Sequence, residues 1–491
     1  MGLRSFGNVI GGKRVAASDG GVIESVEPAT GVPWASIPRS RTGDVGRAVS
    51  AARDAFPGWW GLPALGRAAH LRSLAELVRS HAAELATIES RDVGRVARET
   101  AAGDLPACTE MLHFFAGMAD KIHGDTVNVG PASFNFTRRE PYGVVGIIVP
   151  WNAPLSIACA KVGAALAAGN TVVVKPAEEA GCSISYLAEL IAESGFPDGV
   201  LNVVNGIGEE AGQALVRHPG VGRLTFTGST DTARTITAQS APTLKPLHFE
   251  LGGKSPNIVF ADADLEAAAV GVSTAAVYTG GAGQTCIAGS RILLHASIFD
   301  EMVERIRTHA ASVVLGDPTD HATTMGPLVS ETQYRRVMGY LEEGRHEGRL
   351  VFGGRGAPDL FPADSPYSRG WFVEPTLFAV DGNDHRICRE EIFGPVAAAM
   401  PFETEEEAVA LANDSSYGLA AGVWTSDLGR AHRMVRDLDA GSVWVNAYRR
   451  IHWGLPFGGF KESGYGKDSG LEGILENTRI KTAWIDLGQS S

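Results

Sequence analysis

At 491 residues the chain is too long for one hydrophobic core and should divide into two or three domains, and 44% hydrophobic with 20% charged residues is ordinary globular composition. A formal net charge of −13 argues against nucleic acid as a partner, because phosphate binding needs a basic face. The five cysteines (Cys108, Cys159, Cys182, Cys286 and Cys388) form no C-x-x-C pair, so neither a metal site nor a disulfide framework is assigned, and a reducing cytoplasm fits best. Gly, Lys and Arg interrupt the first fifteen residues, where a signal peptide would need an apolar run. The longest apolar run, Gly143 to Trp151, is broken by Pro150 and is too short to span a bilayer, so no membrane association is expected.

Residues 1–40 read as short strands and turns, with a clear turn at Glu27-Pro28-Ala29-Thr30-Gly31. Helical patterns follow from Asp44 to about Phe56 and from Gly66 to about Asp92, where Leu71, Leu74, Val78, Leu85 and Ile88 recur at helical spacing; a third helix fills 97–120. Residues 124–140 are polar and β-prone, and read as a hairpin leaving the domain body. From 143 onward strand and helix alternate. Val144–Val149, Thr171–Lys175, Val200–Val204 and Leu224–Thr227 are strands; Pro154–Ala168, 180–194, 209–217 and 230–239 are helices. That rhythm predicts an α/β fold with a doubly wound parallel sheet, whose ligands bind at the carboxyl ends of its strands. Gly206-Ile207-Gly208-Glu209-Glu210-Ala211-Gly212 mimics a dinucleotide fingerprint, but its spacing is one residue too long. A second α/β segment begins past 250. Its strands are Pro256–Phe260, Arg291–Leu294 and others near 349 and 372; its helices are Asp264–Tyr278, 298–311, 331–346 and 404–413, and the tail Arg479–Leu487 is β-like.

Chemistry concentrates in a few stretches. Gly280-Gly281-Ala282-Gly283-Gln284-Thr285-Cys286-Ile287-Ala288-Gly289-Ser290 sets one cysteine among small residues, which lets backbone pass close to a substrate and leaves the sulfur reachable. Asn152 lies between a strand end and the helix at Pro154, where its amide can meet a ligand or cap that helix. Lys175 and Glu178 can reach ribose hydroxyls or form a surface ion pair. Phe226-Thr227-Gly228-Ser229-Thr230 is a strand-to-helix turn suited to phosphate or to simple capping. Glu250 ends a strand before Gly252 and Gly253, as a general base or a turn residue would. Glu390 and Glu391 precede Ile392-Phe393-Gly394-Pro395, and could hold ribose hydroxyls or lie in solvent.

Taken together and in this order, these stretches resemble the aldehyde dehydrogenase superfamily, from Glu27-Pro28-Ala29-Thr30-Gly31 to Pro456-Phe457-Gly458-Gly459-Phe460-Lys461-Glu462-Ser463-Gly464. The Glu250-Leu251-Gly252-Gly253-Lys254 and Gly283-Gln284-Thr285-Cys286 stretches are its most specific features. The resemblance implies NAD-dependent oxidation of an aldehyde to the acid, with NADP as an alternative to NAD. Cys286 would be the nucleophile, Glu250 the general base, and Asn152 an oxyanion donor beside the Cys286 backbone N–H. It likewise implies cofactor contacts from Val149, Trp151, Lys175, Glu178, Gly208, Gly228, Ser229, Thr232, Leu251, Glu391 and Phe393. The implied fold is an NAD-binding domain (1–123 and 141–251), a catalytic domain (252–445) and a projecting β-arm (124–140 and 475–491) that builds a homodimer or homotetramer. A CoA-acylating relative typically lacks the glutamate found here at 250, and a non-catalytic structural member would have no need of Asn152, Glu250 and Cys286. Small Ala153 and Ala160 suggest a wide pocket for aryl or branched aldehydes, whereas Arg449 or Arg450 near the expected tunnel mouth would favour a semialdehyde acid; solvated arginines are the plainer reading.

Overall fold

Runs of β-branched residues build the central sheet of the computed structural model, which describes residues 2–488. Five strands run parallel, in the spatial order Leu247–Glu250, Arg223–Thr227, Val144–Val149, Thr171–Pro176, Leu201–Val203. The chain starts in the middle at Val144, moves outward twice, then returns to the other side for Arg223 and Leu247. The order therefore reverses between Val144–Val149 and Arg223–Thr227, and a crevice opens at the carboxyl ends of these two strands. Antiparallel strands close both edges: Asn8–Ile10 and Lys13–Val15 on one side, Gly464–Tyr465 on the other.

Every residue of Val144–Val149 and Thr171–Pro176 is buried, as in a sheet covered on both faces. Val145, Ile147 and Val149 pack under helices carrying Leu71, Leu74, Leu112 and Phe115, while Val144 and Ile148 pack with Val45, Val49 and Ile236 on the opposite face. A second sheet of seven strands has the order Arg349–Phe352, Thr376–Ala379, Val396–Phe402, Arg291–His295, Pro256–Val259, Ala420–Trp424, Ser442–Val445, with only Arg349–Phe352 antiparallel. The third β unit is the pairing of Ser133–Pro141 with Thr478–Asp486, nine residues in register from Thr478↔Pro141 to Asp486↔Ser133, with Thr126–Val127 added outside. Of the tail expected in the arm, residues 489–491 lie outside the described residues.

The departures from the sequence reading have local causes. The helix expected over 66–92 is two, Ala64–Ser80 and Ala82–Val93, parted at His81. The helix over 97–120 contains a π-helical turn at Thr100–Asp104 before Leu105–Met118. The helix expected to reach Tyr278 stops at Val272, where the amides of Ala276, Val277 and Tyr278 all converge on the Ser273 carbonyl. The strand expected near 372 lies instead at Thr376–Ala379. Residues 446–474, left without a domain, serve both sheets' surroundings: Gly464–Tyr465 extends the first sheet, and Phe460–Lys461 pairs with Tyr417–Gly418. Among the described residues no helix is long and apolar enough to cross a membrane.

Candidate active site

The crevice at the strand ends deepens into a cavity of about 670 Å³. Its wall contains Trp151, Asn152, Gly228, Ser229, Glu250, Leu251, Cys286, Glu391 and Phe393 from the residues singled out in the sequence. Val149, Lys175, Glu178, Gly208 and Thr232 lie outside this wall. Val149 is buried inside its strand, Gly208 opens a π-helical turn at the surface, and Thr232 is exposed in the first turn of the Thr230–Ser240 helix.

Cys286 sits on a loop held by its own small residues. Ala282 and Gly283 have positive φ, and a Cβ at Gly283 would run into the Gly394 carbonyl, so glycine is what lets this loop lie against the Glu391–Pro395 turn. Gln284 fastens the loop: its side chain donates to the Gly281 carbonyl at 3.0 Å and accepts from the Val329 amide at 2.9 Å. The buried Tyr448 hydroxyl donates to the Ile287 carbonyl at 2.9 Å. Cys286 is partly buried and lines the cavity. Burial pushes its thiol up to about 12, and the nearby Glu391 and Glu250 carboxylates push the same way.

Asn152 is not the cap of the following helix. That position belongs to Ala153, which offers no side-chain bond, and the Asn152 amide instead donates to the Gln284 carbonyl at 3.0 Å. A strand-end asparagine is thereby tied to the loop of the cysteine.

Glu250 is buried at the end of its strand. One carboxylate oxygen lies 3.3 Å from His248 Nε2, and the other has no hydrogen-bond partner among the described residues. Burial, then the charge of Asp468, holds this carboxyl well above the usual range; Lys161 and Lys467 pull the other way. Burial drives the His248 imidazole down to about 3, so its contact with Glu250 is a hydrogen bond of a neutral ring rather than an ion pair. Lys161 Nζ donates to Asp468 at 2.8 Å and to Thr225 Oγ1 at 2.9 Å. His248, Glu250 and Asp468 bring three possible ligand atoms within 4.8 Å of one another, but the Lys161 ammonium already supplies positive charge there.

The far wall is the Glu391 turn. The Gly253 amide donates to the Glu391 carboxylate at 3.0 Å, and burial raises that carboxyl to about 7. Phe393 has a left-handed backbone, and its ring meets Trp151 edge-on at 5.2 Å. Ser229 caps the Thr230–Ser240 helix by accepting from the Thr232 amide at 3.2 Å, so capping is the role seen here. A Cβ at Gly228 would collide with the Phe226 ring. Lys175 and Glu178 pair at 3.1 Å, with the lysine buried, so this is not a solvated surface pair.

Sequence reasoning missed several neighbours. Gln333 and Arg336, three apart on one helix face, hold the Glu391 turn by donating to the Phe393 and Glu391 carbonyls at 2.8 Å. Arg234, Tyr417 and Glu462 also line the cavity. His248 was within reach, since residues two apart on a strand share a face and Glu250 was already chosen. Asp468 carried no such signal.

A model of the aldehyde dehydrogenase family matches residues 15–483. The NADP/NAD-dependent aldehyde dehydrogenase PuuC of Escherichia coli (strain K12) is 43% identical over 482 residues, 97% of this chain and 95% of the relative. Among solved structures, PnpE in complex with nicotinamide adenine dinucleotide superposes with a TM-score of 0.95 at 42% identity, covering 99% of this chain and 98% of that one. The NAD+ complex of an aldehyde dehydrogenase from Bacillus cereus superposes with a TM-score of 0.95 at 40% identity, covering 99% and 97%. The chain belongs to the aldehyde dehydrogenase family and is an NAD(P)-dependent aldehyde oxidoreductase.

Proposed function

We propose that this chain oxidises an aldehyde to its carboxylic acid with NAD+, through a thiohemiacetal and then a thioester on Cys286 that water hydrolyses with Glu250 as base. The observation that carries this reading is the meeting of three side chains from separate elements on one cavity wall: Cys286, Asn152 and Glu250.

The cofactor fits the residues present. The crevice lies where the strand order reverses, Gly228 and Gly252 leave backbone bare where a Cβ would strike Phe226 and Glu391, and the PnpE and Bacillus cereus relatives are named as NAD complexes. Lys175 and Glu178 would hold the adenosine ribose, Gly228 and Ser229 the pyrophosphate, and Glu391 and Phe393 the nicotinamide ribose and ring. When bound, NAD+ supplies the acceptor for the hydride lost from the aldehyde carbon.

The chain's own residues do the remainder. The Cys286 sulfur adds to the aldehyde carbon as its proton is released to solvent, which is the one proton of the overall reaction. The oxygen that gains negative charge is met by the Asn152 amide and the Cys286 backbone N–H; one such donor is typically worth about 3–4 kcal/mol of barrier. Departure of the hydride restores the C=O bond and leaves the thioester. Glu250, whose carboxyl is raised by burial, takes a proton from water as the hydroxyl adds to the thioester carbon; the C–S bond then breaks, the acid leaves, and the sulfur takes that proton back from Glu250 as the thiol. Aldehyde, NAD+ and water give acid, NADH and one proton. The chain also fits a homo-oligomer built through the arm and a compartment that keeps its five free cysteines reduced.

The test separates the two halves. Glu250→Gln keeps the volume and removes the basicity, so stopped-flow absorbance should show an NADH burst near one equivalent per site. The steady state should then be slower by about 10²–10⁴-fold, with the acyl group found on Cys286 by mass spectrometry. Cys286→Ala should oxidise nothing. Substantial turnover by Cys286→Ala, or a Glu250→Gln variant that hydrolyses its thioester at the wild-type rate, overturns the assignment.

A further inference from the structure

We propose that Arg449 is a subsite for the carboxylate of the substrate, so that the aldehyde oxidised also carries an acid group; this rests on the aldehyde oxidation proposed above and names its substrate class.

The loop after the Ser442–Val445 strand is tied to the Cys286 loop by the Tyr448 hydroxyl on the Ile287 carbonyl, while the Tyr448 ring lies 5.0 Å from that of Trp444 on the strand itself. The next residue, Arg449, has φ of 55°, a left-handed conformation unfavourable for a residue with a Cβ. Arg450 is exposed, while Arg449 is partly buried, which separates the two arginines that the sequence left level. Arg449 lies within electrostatic reach of Arg95, Glu99 and Asp104. Two of these touch the backbone of the active-site loops: Arg95 donates to the Asn152 carbonyl at 3.0 Å, and Glu99 accepts from the Gly280 amide, at the start of the Cys286 loop, at 3.1 Å.

The Glu99 and Asp104 carboxylates draw on Arg449 from a distance, but neither closes an ion pair with it. Asp104 is paired with Arg95, and Glu99 is engaged by the Gly280 amide. No hydrogen bond or ion pair to the Arg449 guanidinium forms among the described residues; burial acts on it first, then the repelling charge of Arg95. Other buried arginines of this chain are bonded: Arg223 to Asn477, Arg291 to Asn383 and the Leu411 carbonyl, Arg67 to the Leu62 carbonyl. A part-buried guanidinium without a partner favours an anion, and its planar fork matches a carboxylate. Ile157 lines the Cys286 cavity and packs in one apolar cluster with Phe114 and Trp453, the last of these on the Arg449 loop. A short methylene chain with an aldehyde at one end and a carboxylate at the other would lie along that apolar surface to bring its acid group to Arg449.

The test compares matched aldehydes with the full chain and NAD+: 4-oxobutanoate against butanal, and 5-oxopentanoate against pentanal. For at least one pair, the wild type should favour the acid in kcat/KM. Arg449→Met should collapse that ratio by about 10–100-fold, mostly through KM, as expected for losing a charge-assisted hydrogen bond. Arg449→Lys should restore part of it, and Arg450→Met should leave it unmoved. Succinate or glutarate should compete with the acid aldehyde in the wild type and in Arg449→Lys, a readout that stands even if Arg449→Met does not fold. A wild-type ratio near one for both pairs, a ratio that Arg449→Met leaves unchanged, or absence of dicarboxylate competition overturns the subsite while leaving aldehyde oxidation intact. A wild type that reduces NAD+ with none of the four aldehydes removes the underlying reading, and the subsite with it.

Discussion

Cys286 is held in a place that disfavours its own reactive form. A thiol pushed up to about 12 is almost wholly protonated at neutral pH, so the resting enzyme guards its nucleophile, and deprotonation must accompany attack. Part of that shift comes from the Glu391 carboxylate, and its sign can be worked out. A neighbouring negative charge disfavours a thiolate, and Glu391 titrates at about 7, so its charge is present above that pH and absent below it. Glu391→Gln should therefore leave iodoacetamide alkylation of Cys286 nearly unchanged at pH 6. At pH 9 it should speed alkylation by about 2–10-fold, a fraction of a pKa unit up to one unit. Gln can still accept the Gly253 amide, so the turn should survive the substitution. Peptide mass spectrometry of the labelled enzyme reads both rates. A slower reaction at pH 9 in Glu391→Gln would show that Glu391 assists the thiolate instead of opposing it.

The elements that carry the site interlock through absent side chains. A Cβ at Gly253 would stand 2.6 Å from the Cys286 carbonyl oxygen, a backbone atom that cannot swing aside, so the turn after the Glu250 strand and the cysteine loop are fitted to each other. Gly253→Ala should displace that loop and lower kcat by about 10²-fold, the usual cost of a misplacement near 1 Å, with circular dichroism unchanged. Gly58, exposed inside the Thr42–Gly61 helix with nothing within 4 Å of its Cβ position, is the control: Gly58→Ala should keep full activity and gain roughly 0.5–1 kcal/mol of local helix stability. A fully active Gly253→Ala would mean that the loop has room to spare. Interlocks of this kind mark the limit of what the sequence makes legible. The buried strands could be read because Val144–Val149 and residues 172–174 are apolar runs; Cys286, Asn152 and Glu250 could be singled out by their places at a strand end or in a glycine-rich loop, but the roles expected of them came from the family resemblance. The break at His81 and the π-helical turn at Thr100–Asp104 interrupt patterns that remain helical in composition, so periodicity ran through them. The pairing of Lys161 with Asp468, 307 residues apart, exists only once the chain is folded.

At the scale of the whole molecule, the arm is the feature that one chain leaves unfinished. Thr478–Asp486 pairs with Ser133–Pro141 over nine residues, yet only Thr478 of that tail strand is buried. Trp484 is 63% exposed and Ile480 59%, Phe134 and Val127 are exposed on the same three-stranded unit, and Val129 is exposed in the turn that joins two of its strands. A ribbon with large apolar side chains open to water is unstable alone and tends to be covered by another chain. A second copy of this chain is the covering surface we expect. Light scattering behind size exclusion should return two or four times the 51.7 kDa of one chain at micromolar concentration. Replacing Ile480 and Trp484 together by Asp places two charges on that surface without touching the cavity, since neither lines it. The double variant should move the mass toward 51.7 kDa, and its loss of thermal stability should shrink as the wild-type protein is diluted toward the same monomer. A wild type that runs as a single 51.7 kDa species across the micromolar range, or a double variant with unchanged mass, would mean that the arm joins nothing and that its apolar side chains serve the single chain.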